Sequence, residues 1–245
     1  DIELGDAALD VVCDVTWKAE SERYEFRIKV DNHSDRFGLF STDYPCLGRV
    51  VKRGEGTAIR PGGNWGGLRT DTPWPMKMIY PGYPAPLQLT IFESGKGEGL
   101  LVAALDPSAC VKTLALDDKY NFSFSLPAVN AGAPGAEGAP EYPFALYPYT
   151  GTWWKAARHY RKWAVAHADW MKAGPNVERK DRAERYRNAG MWMLVSSKSN
   201  TLSNVKSLLD KTLERVNGRV PVSVHWYCWH KHPFDTMYPE FFPAK

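Results

Sequence analysis

The stretch that decides the fold is Val220 to Lys245, which reads Val-Pro-Val-Ser-Val-His-Trp-Tyr-Cys-Trp-His-Lys-His-Pro-Phe-Asp-Thr-Met-Tyr-Pro-Glu-Phe-Phe-Pro-Ala-Lys. It begins as a β-branched run and soon becomes a dense set of aromatic residues, histidines and one aspartate. This change is typical of a strand that leaves a core and enters a site. We therefore interpret Val220 to Trp229 as a buried strand whose C-terminal end contributes to a functional site.

A second strand and a helix precede this strand. Ala189 to Ser196 is a continuous apolar run, which favours a strand covered on both faces. Ser203 is a suitable N-cap for the helix that follows, and Asn217 with Gly218 is expected to end it. A strand, a helix and a strand within about 40 residues form a βαβ unit, which requires a parallel sheet. Two strands leave both edges of that sheet open, so we expect further strands or a partner.

The first part of the chain predicts a mostly antiparallel β-sandwich. Glu22 to Asn32 alternates apolar and charged residues, the pattern of a sheet with one wet face. Asp10 to Trp17 is predicted to be the strand before it, joined to it by a hairpin turn at Lys-Ala-Glu-Ser-Glu. Two further hairpins are predicted at 87–106 and 111–126, and a last strand at 142–149. About eight strands with turn signals between them favour a sandwich over residues 1–149.

A helix is predicted after the sandwich, beginning near Trp153 and ending at Gly174 and Pro175. One of its faces carries aromatic and small residues, a pattern that indicates packing against another part of the fold. The residues of this face are Trp153, Ala157, Tyr160, Ala164, Ala168 and Met171. We interpret 150–187 as a helical linker and 188–245 as the start of an incomplete (β/α)8 barrel.

Composition excludes several classes of partner. The chain has 31 basic and 28 acidic residues, a net charge of +3, without the clustered basic face of a nucleic-acid-binding protein. The sequence has neither a long apolar stretch nor a signal peptide, so we expect no membrane partner. Any leader of a secreted or periplasmic protein would lie outside this sequence. The four cysteines are scattered, which predicts isolated and mostly buried thiols.

Two segments resemble a known family. Phe144 to Pro175, and more sharply His225-Trp-Tyr-Cys-Trp-His together with Pro233-Phe-Asp-Thr-Met-Tyr-Pro-Glu-Phe-Phe-Pro, resemble an uncharacterised glycoside-hydrolase-like family of bacterial multidomain proteins. Members combine a β-sandwich, a helical linker and a (β/α)8 barrel, a layout similar to that of endo-α-N-acetylgalactosaminidases. The resemblance implies carbohydrate chemistry and places the catalytic carboxylates on later barrel strands, beyond residue 245.

The end of the last strand is the predicted site. Residues at the C-terminal ends of barrel strands and in the loops after them form the active sites of barrel enzymes. We expect the following residues to form one wall of a sugar pocket: Tyr227, Trp229, His230, His232, Phe234 and Asp235. Trp229 or Tyr227 would stack on a sugar ring, and His230 and Asp235 would bind its hydroxyls. Trp226 and Tyr227 could equally be barrel packing, and His225 is expected to be a structural histidine.

Catalytic and metal roles receive weaker support from the sequence. Asp235 is a candidate catalytic acid or base, but a glycosidase needs a second carboxylate at a suitable distance. Glu240 lies five residues further on in a loop, and the sequence does not show which way its side chain points. The histidines match no standard zinc spacing, and His225 and His230 lie on opposite faces of the strand, so no metal is predicted. No cofactor is predicted either.

Two functions are therefore open. The first is a fragment of a glycoside hydrolase that acts on a complex polysaccharide or glycan and is inactive as this chain alone. The second is a non-catalytic carbohydrate-binding β-sandwich. It is suggested by aromatic residues in the proline- and glycine-rich segment Arg60 to Pro86, a segment that could instead cover a sheet edge. These aromatic residues are Trp65, Trp74, Tyr80 and Tyr83.

Overall fold

The computed structural model describes most of the chain. The described residues are 9–51, 56–62, 67–69, 75–82, 84–128, 132–135, 140–195, 201–227 and 229. They form two compact units, Asp1–Lys172 and Ala173–Lys245. Within the described residues, no helix has the length and apolar character needed to cross a membrane.

The first unit is a mostly antiparallel β-sandwich. Its strands are β1 (Leu9–Lys18), β2 (Arg23–Asn32), β3 (Ser41–Leu47), β4 (Gly56–Gly62), β5 (Gly67–Arg69), β6 (Met76–Tyr80), β7 (Leu89–Ser94), β8 (Glu98–Ala104), β9 (Lys112–Leu116), β10 (Phe122–Pro127) and β11 (Phe144–Thr150). One sheet has the order β1-β2-β11-β8-β7-β4-β5, and the other has the order β3-β10-β9-β6. The predicted hairpins are present as the pairs β1–β2, β7–β8 and β9–β10.

A core of aromatic and aliphatic side chains fills the space between the two sheets. Phe92, Val102 and Phe144 come from the larger sheet, and Phe122 and Phe124 come from the smaller one. Each of these five side chains is buried. The alternation of buried and outward-facing residues along β9 and β10 produces this arrangement, because successive side chains in a strand point to opposite faces.

A helix covers the other face of the larger sheet. Helix α1 (Trp153–His167) packs Tyr160, Trp163 and Ala164 into a second core with Leu101 and Tyr147 of the sheet. The first unit therefore has three layers, two sheets and one helix. The aromatic face of this helix is packing, as its spacing indicates.

Helix α1 ends earlier than its sequence pattern predicts. Ala168 takes an extended conformation (φ −75°, ψ 133°), and a short 3₁₀ turn at Asp169–Met171 follows. Gly174 has a positive φ of 75°, as the predicted cap requires, but it lies beyond this turn. The apolar spacing continued through Met171 because the 3₁₀ turn also packs against the second core.

A buried charged network links Gln88 before β7, Asp106 after β8 and Lys112 at the start of β9. Lys112 is fully buried and donates hydrogen bonds to Asp106 Oδ2 (2.7 Å), Gln88 Oε1 (2.9 Å) and the Cys110 carbonyl (2.6 Å). Asp106 also accepts from the backbone N–H groups of Ser108 and Cys110. The charge of Lys112 is thus satisfied by three acceptors inside the fold.

Tyr80 belongs to the core and not to a sugar-binding loop. It ends strand β6, is 4% exposed, and its ring lies 4.8 Å from Lys112 Nζ. Its placement on a loop was wrong because the five residues of β6 alternate buried and exposed, a pattern hidden among the surrounding prolines and glycines. The other aromatic residues proposed for that loop lie outside the described residues: Trp65, Trp74 and Tyr83.

The described cysteines are isolated but not buried. Cys13, Cys46 and Cys110 are free and exposed, which contradicts the prediction of mostly buried thiols. Cys13 lies on β1, which is exposed along its whole length at the edge of the larger sheet. The composition of a strand does not reveal whether it lies at the edge of its sheet.

The second unit contains the predicted βαβ arrangement. Strand β12 (Met191–Val195) is followed by helix α3 (Leu202–Val216) and strand β13 (Val222–Trp226), and a short helix α2 (Glu184–Arg187) precedes them. The two strands are parallel. The stretch predicted as a linker, 150–187, contributes α1 to the first unit and α2 to the second.

Both ends of α3 are capped. At the start, Thr201 is the N-cap and its side chain accepts a hydrogen bond from the N–H of Asn204 (3.3 Å), so Ser203, the predicted cap, lies inside the helix. At the other end, Asn217 adopts the left-handed conformation, and its N–H donates to the Leu213 carbonyl (2.9 Å). Gly218 follows with a positive φ, as its position after the helix predicts.

Candidate functional site

The parallel strand pair sets the geometry of the site. Met191 lies opposite Val222 and Val195 opposite Trp226, so the strands are in register over their whole length. The N–H of Tyr227 continues the ladder by donating to the Val195 carbonyl at 2.8 Å. Because the strands are parallel, their C-terminal ends meet at one edge of the sheet, and Tyr227 lies at that edge.

One face of this sheet packs against α3. Buried Met193 and Val195 contact Val205 of the helix. From β13, Val224 and Trp226 pack against the same cluster. The covered face is therefore ordinary α/β packing, and Trp226 belongs to it.

The opposite face carries aromatic and polar side chains. Trp192 is 49% exposed and Leu194 is 40% exposed. His225 is exposed and Tyr227 is half-buried, and their rings stack with centroids 4.4 Å apart and planes at 24°. Trp192 in turn stacks on Tyr186 of α2, with centroids 5.7 Å apart and planes at 14°. We refer to Trp192, Leu194, His225 and Tyr227 as the aromatic face.

The exposure of the aromatic face corrects two predictions from the sequence. Ala189 to Ser196 was expected to form a strand covered on both faces, and Val220 to Trp229 a buried strand. The structure buries β12 on one face only and leaves β13 half-buried. The physical reason is that α3 covers one face, whereas on the other face Trp192 and Leu194 stay 49% and 40% exposed.

Two of the six predicted site residues lie within the described residues. Tyr227 belongs to the aromatic face, and Trp229 follows it as a half-buried residue. The other four predicted site residues lie outside the described residues: His230, His232, Phe234 and Asp235. Their roles stay predictions, as does that of Glu240, which also lies outside.

The side chains of the aromatic face offer both apolar ring surfaces and hydrogen-bonding groups. Aromatic rings offer apolar surfaces to the C–H faces of a sugar, and an imidazole and a phenol can both donate and accept hydrogen bonds. Within the described residues of this face there is no carboxylate, so it supplies neither member of the carboxylate pair that glycoside hydrolysis requires. Of the three histidines weighed as metal ligands, His225 alone is described, and the described residues contain no cluster of three or more His, Cys, Asp or Glu side chains that could hold a metal ion.

Comparisons with known proteins agree with this architecture. A family model described as a domain of unknown function, DUF6259, matches residues 139–245. A Monosiga brevicollis protein named "Putative glycoside hydrolase 22789" is 29% identical over 91% of this chain and 21% of its own length. A Bacteroides thetaiotaomicron protein named "Putative glycoside hydrolase" is 30% identical over 34% of this chain and 13% of its own length.

The chain resembles a glycoside-hydrolase-like family. The resemblance predicted from the sequence is confirmed by these relatives. The chain spans about a fifth or less of the length of the curated relatives it matches. Its fold is similar to that of the α-N-acetylgalactosaminidase of Bifidobacterium bifidum in its GalNAc complex. That match has a TM-score of 0.51 and 9% identity, and covers 96% of this chain and 46% of the other.

The contribution of β12 to the aromatic face was not predicted from the sequence. Trp192 and Leu194 were assigned to a strand buried on both faces, whereas they extend the aromatic face toward α2. A continuous apolar run carries no alternation, so it does not show which residues face a helix and which face outward. The register with β13 supplies that information, because Leu194 lies opposite His225.

Proposed function

We propose that this chain is part of a glycoside hydrolase that acts on a complex polysaccharide or glycan. It contributes the sandwich, a helical segment and the first βαβ unit of a (β/α)8 barrel. The observation that carries the proposal is the parallel βαβ unit, whose uncovered face presents His225 and Tyr227 beside the C-terminal ends of its strands. That edge is where barrel enzymes form their sites.

The exposed aromatic face supports the barrel. Parallel sheets are covered on both faces in folded proteins, and a barrel closes one face on its own interior. Trp192 and Leu194 are large apolar side chains that this arrangement would cover, and Tyr227 would lie at the top of the interior. The greater length of the matched relatives leaves room for the remaining strands.

The proposed division of labour follows from the side chains. In the glycosidase mechanism one carboxylic acid protonates the leaving oxygen, while a second carboxylate acts as nucleophile or base. We place both on later barrel strands, beyond residue 245. This chain would hold the sugar: Tyr227 or Trp229 would stack on a ring, and His230 and Asp235 would bind hydroxyl groups. A polysaccharide substrate also favours a secreted or periplasmic location, which belongs to the proposal.

The test compares this chain with a longer protein in which the rest of the proposed barrel follows it. The longer protein should hydrolyse one or more members of a panel of aryl glycosides and glycans, and this chain alone should hydrolyse none. In the longer protein, Asp235→Ala should weaken glycan affinity more than it lowers kcat. Turnover by this chain alone would contradict the division of labour. Wild-type affinity and turnover in Asp235→Ala would remove that residue from the site.

The alternative of a non-catalytic carbohydrate-binding sandwich has lost part of its basis. Tyr80, one of the four aromatic residues that suggested it, is a core residue. Glycan binding by this chain with no hydrolysis by the longer protein would favour the alternative.

A further inference from the structure

We propose that the outer face of helix α1 binds an acidic oligosaccharide, one that contains uronic acid residues. This surface belongs to the first unit, whereas the aromatic face belongs to the second, and the proposal does not depend on the barrel. We call it the basic helix face and define it by Trp154, Lys155, Arg158, Arg161 and Lys162. All five side chains are exposed.

The helix combines a row of exposed cations with an exposed indole, a local cluster that the nearly balanced charge of the whole chain does not reveal. Trp154, Arg158 and Arg161 are spaced four and three residues apart, so they lie on one stripe of the helix, and Lys155 and Lys162 lie beside it. The 15 residues of α1 contain no aspartate or glutamate, although the chain as a whole has 28 acidic residues. Among the described residues, no carboxylate forms an ion pair with any of these four cations.

The pKa of nearby His159 is lowered mainly by burial and in part by the neighbouring lysines. Burial lowers the pKa of His159 below its usual value. Lys155 lowers it further, Glu22 acts in the opposite direction, and Lys162 lowers it again. A local field that disfavours an additional cation favours an anion.

Trp154 contributes to the lining of two hollows with different chemistry. The first is a basic hollow of about 410 Å³, whose lining also includes Thr152, Lys155, Arg158, His159 and Lys162. The second is a largely apolar hollow of about 450 Å³, whose lining also includes Ile91, Trp153, Tyr160, Arg161, Trp170 and Met171. Trp154 itself is 59% exposed, and its ring is held edge-on against Trp153 at 5.5 Å.

These properties fit a sugar acid better than a neutral sugar or a simple anion. In the proposed complex, a sugar ring stacks on the exposed ring of Trp154, and its carboxylate pairs with Arg158 or Arg161 on the same stripe of the helix. The planar guanidinium binds a carboxylate through two parallel hydrogen bonds, which adds orientation to the charge attraction. A neutral saccharide would use only the stacking, and a small anion would use only the charge.

The test is calorimetric titration of this chain with a galacturonic acid tetramer, a matching neutral galactose oligomer and a sulfated galactose oligomer. We expect the uronate to bind, its Kd to rise with ionic strength, and the neutral oligomer to bind at least about tenfold more weakly. Equal affinity for the neutral oligomer, preference for the sulfated oligomer, or no uronate binding would each overturn the proposal.

A pair of double variants tests the location. Arg158→Ala/Arg161→Ala should raise the Kd for the uronate about tenfold or more. Lys211→Ala/Arg215→Ala removes the same charge from exposed positions on α3 and should leave the Kd unchanged. An equal rise in both variants would mean non-specific attraction and overturn the proposal. Arg158→Lys/Arg161→Lys retains the charge, so a wild-type Kd in that variant would exclude the two-hydrogen-bond contact.

Discussion

Replacing Lys112 by Met should destabilise the sandwich strongly. The ammonium group is buried and donates to Asp106 Oδ2, Gln88 Oε1 and the Cys110 carbonyl. Met has a similar length but no charge and no donor. The variant would leave the Asp106 carboxylate, itself 1% exposed, with the backbone N–H groups of Ser108 and Cys110 and the Cys110 thiol as donors, but without a cation.

The expected loss follows from this geometry. Removing one partner of a buried ion pair costs about 3 to 5 kcal/mol, because the remaining charge is uncompensated. The stability of a whole domain is only about 5 to 15 kcal/mol, so the variant should lose a large share of it. Burial lowers the pKa of Lys112, while its hydrogen bond to Asp106 opposes that effect. The charged form of Lys112 is therefore stabilised by the network and not by solvent.

Hydrogen exchange measured by mass spectrometry on peptides from β8 and β9 would report the change in the sandwich alone. The matched control is Lys77→Met, the same substitution at an exposed position on β6, the strand that pairs with β9. The control should alter the opening free energy by less than about 0.5 kcal/mol. A loss below about 1 kcal/mol in Lys112→Met would refute the structural role assigned to the network.

Three other predictions concern stability. Burial raises the pKa of Tyr80 to about 12, with Asp106 acting in the same direction. A free tyrosine loses its proton near pH 10, so the stability contributed by Tyr80 should be intact below about pH 10. It should fall by about 1.4 kcal/mol per pH unit up to about pH 12. Tyr80→Phe should flatten this part of an alkaline denaturation profile, and an unchanged slope would contradict the shift. Thr201→Ala should weaken α3 by about 1 kcal/mol in hydrogen exchange; an equal loss in Ser203→Ala would instead indicate that Ser203 is the cap. Leu101→Ala should cost about 2 to 5 kcal/mol in denaturant unfolding, because Leu101 is fully buried between the larger sheet and α1; a loss under about 1 kcal/mol would contradict that packing.

Much of the fold is encoded in local sequence patterns. The alternation along β2 and the turn residues between β7 and β8 are enough to predict antiparallel hairpins, and the apolar runs around α3 predict a βαβ unit. These signals are local, because a strand or a helix imposes its own period on the residues within it. The order of the strands in the two sheets is different in kind, since it depends on contacts between distant parts of the chain.

The errors arise where local sequence does not determine the assembled structure. Ser203 and Thr201 are both good N-caps, and backbone geometry decides between them. Tyr80 looked like a loop residue among prolines, and Cys13 looked buried, because sequence does not show which strand is central and which lies at an edge. Burial is a property of the assembled sheet.

Part of the candidate site could be predicted from the sequence. The aromatic and polar tip of β13 was identified from the change in character after Val224. Two facts depended on the structure: Trp226 faces α3, and Trp192 extends the opposite face. The packing face predicted for α1 did not include Trp154, which the structure leaves 59% exposed.

The most direct test of the account uses two neighbouring residues that point to opposite faces of β13. In the longer protein, Tyr227→Ala should lower kcat/KM for a hydrolysed glycan about tenfold while leaving the unfolding midpoint near its wild-type value. Trp226→Ala should instead lower the unfolding midpoint, because Trp226 packs against the α3 cluster. Wild-type kcat/KM in Tyr227→Ala would contradict the claim that this face forms a wall of the carbohydrate site.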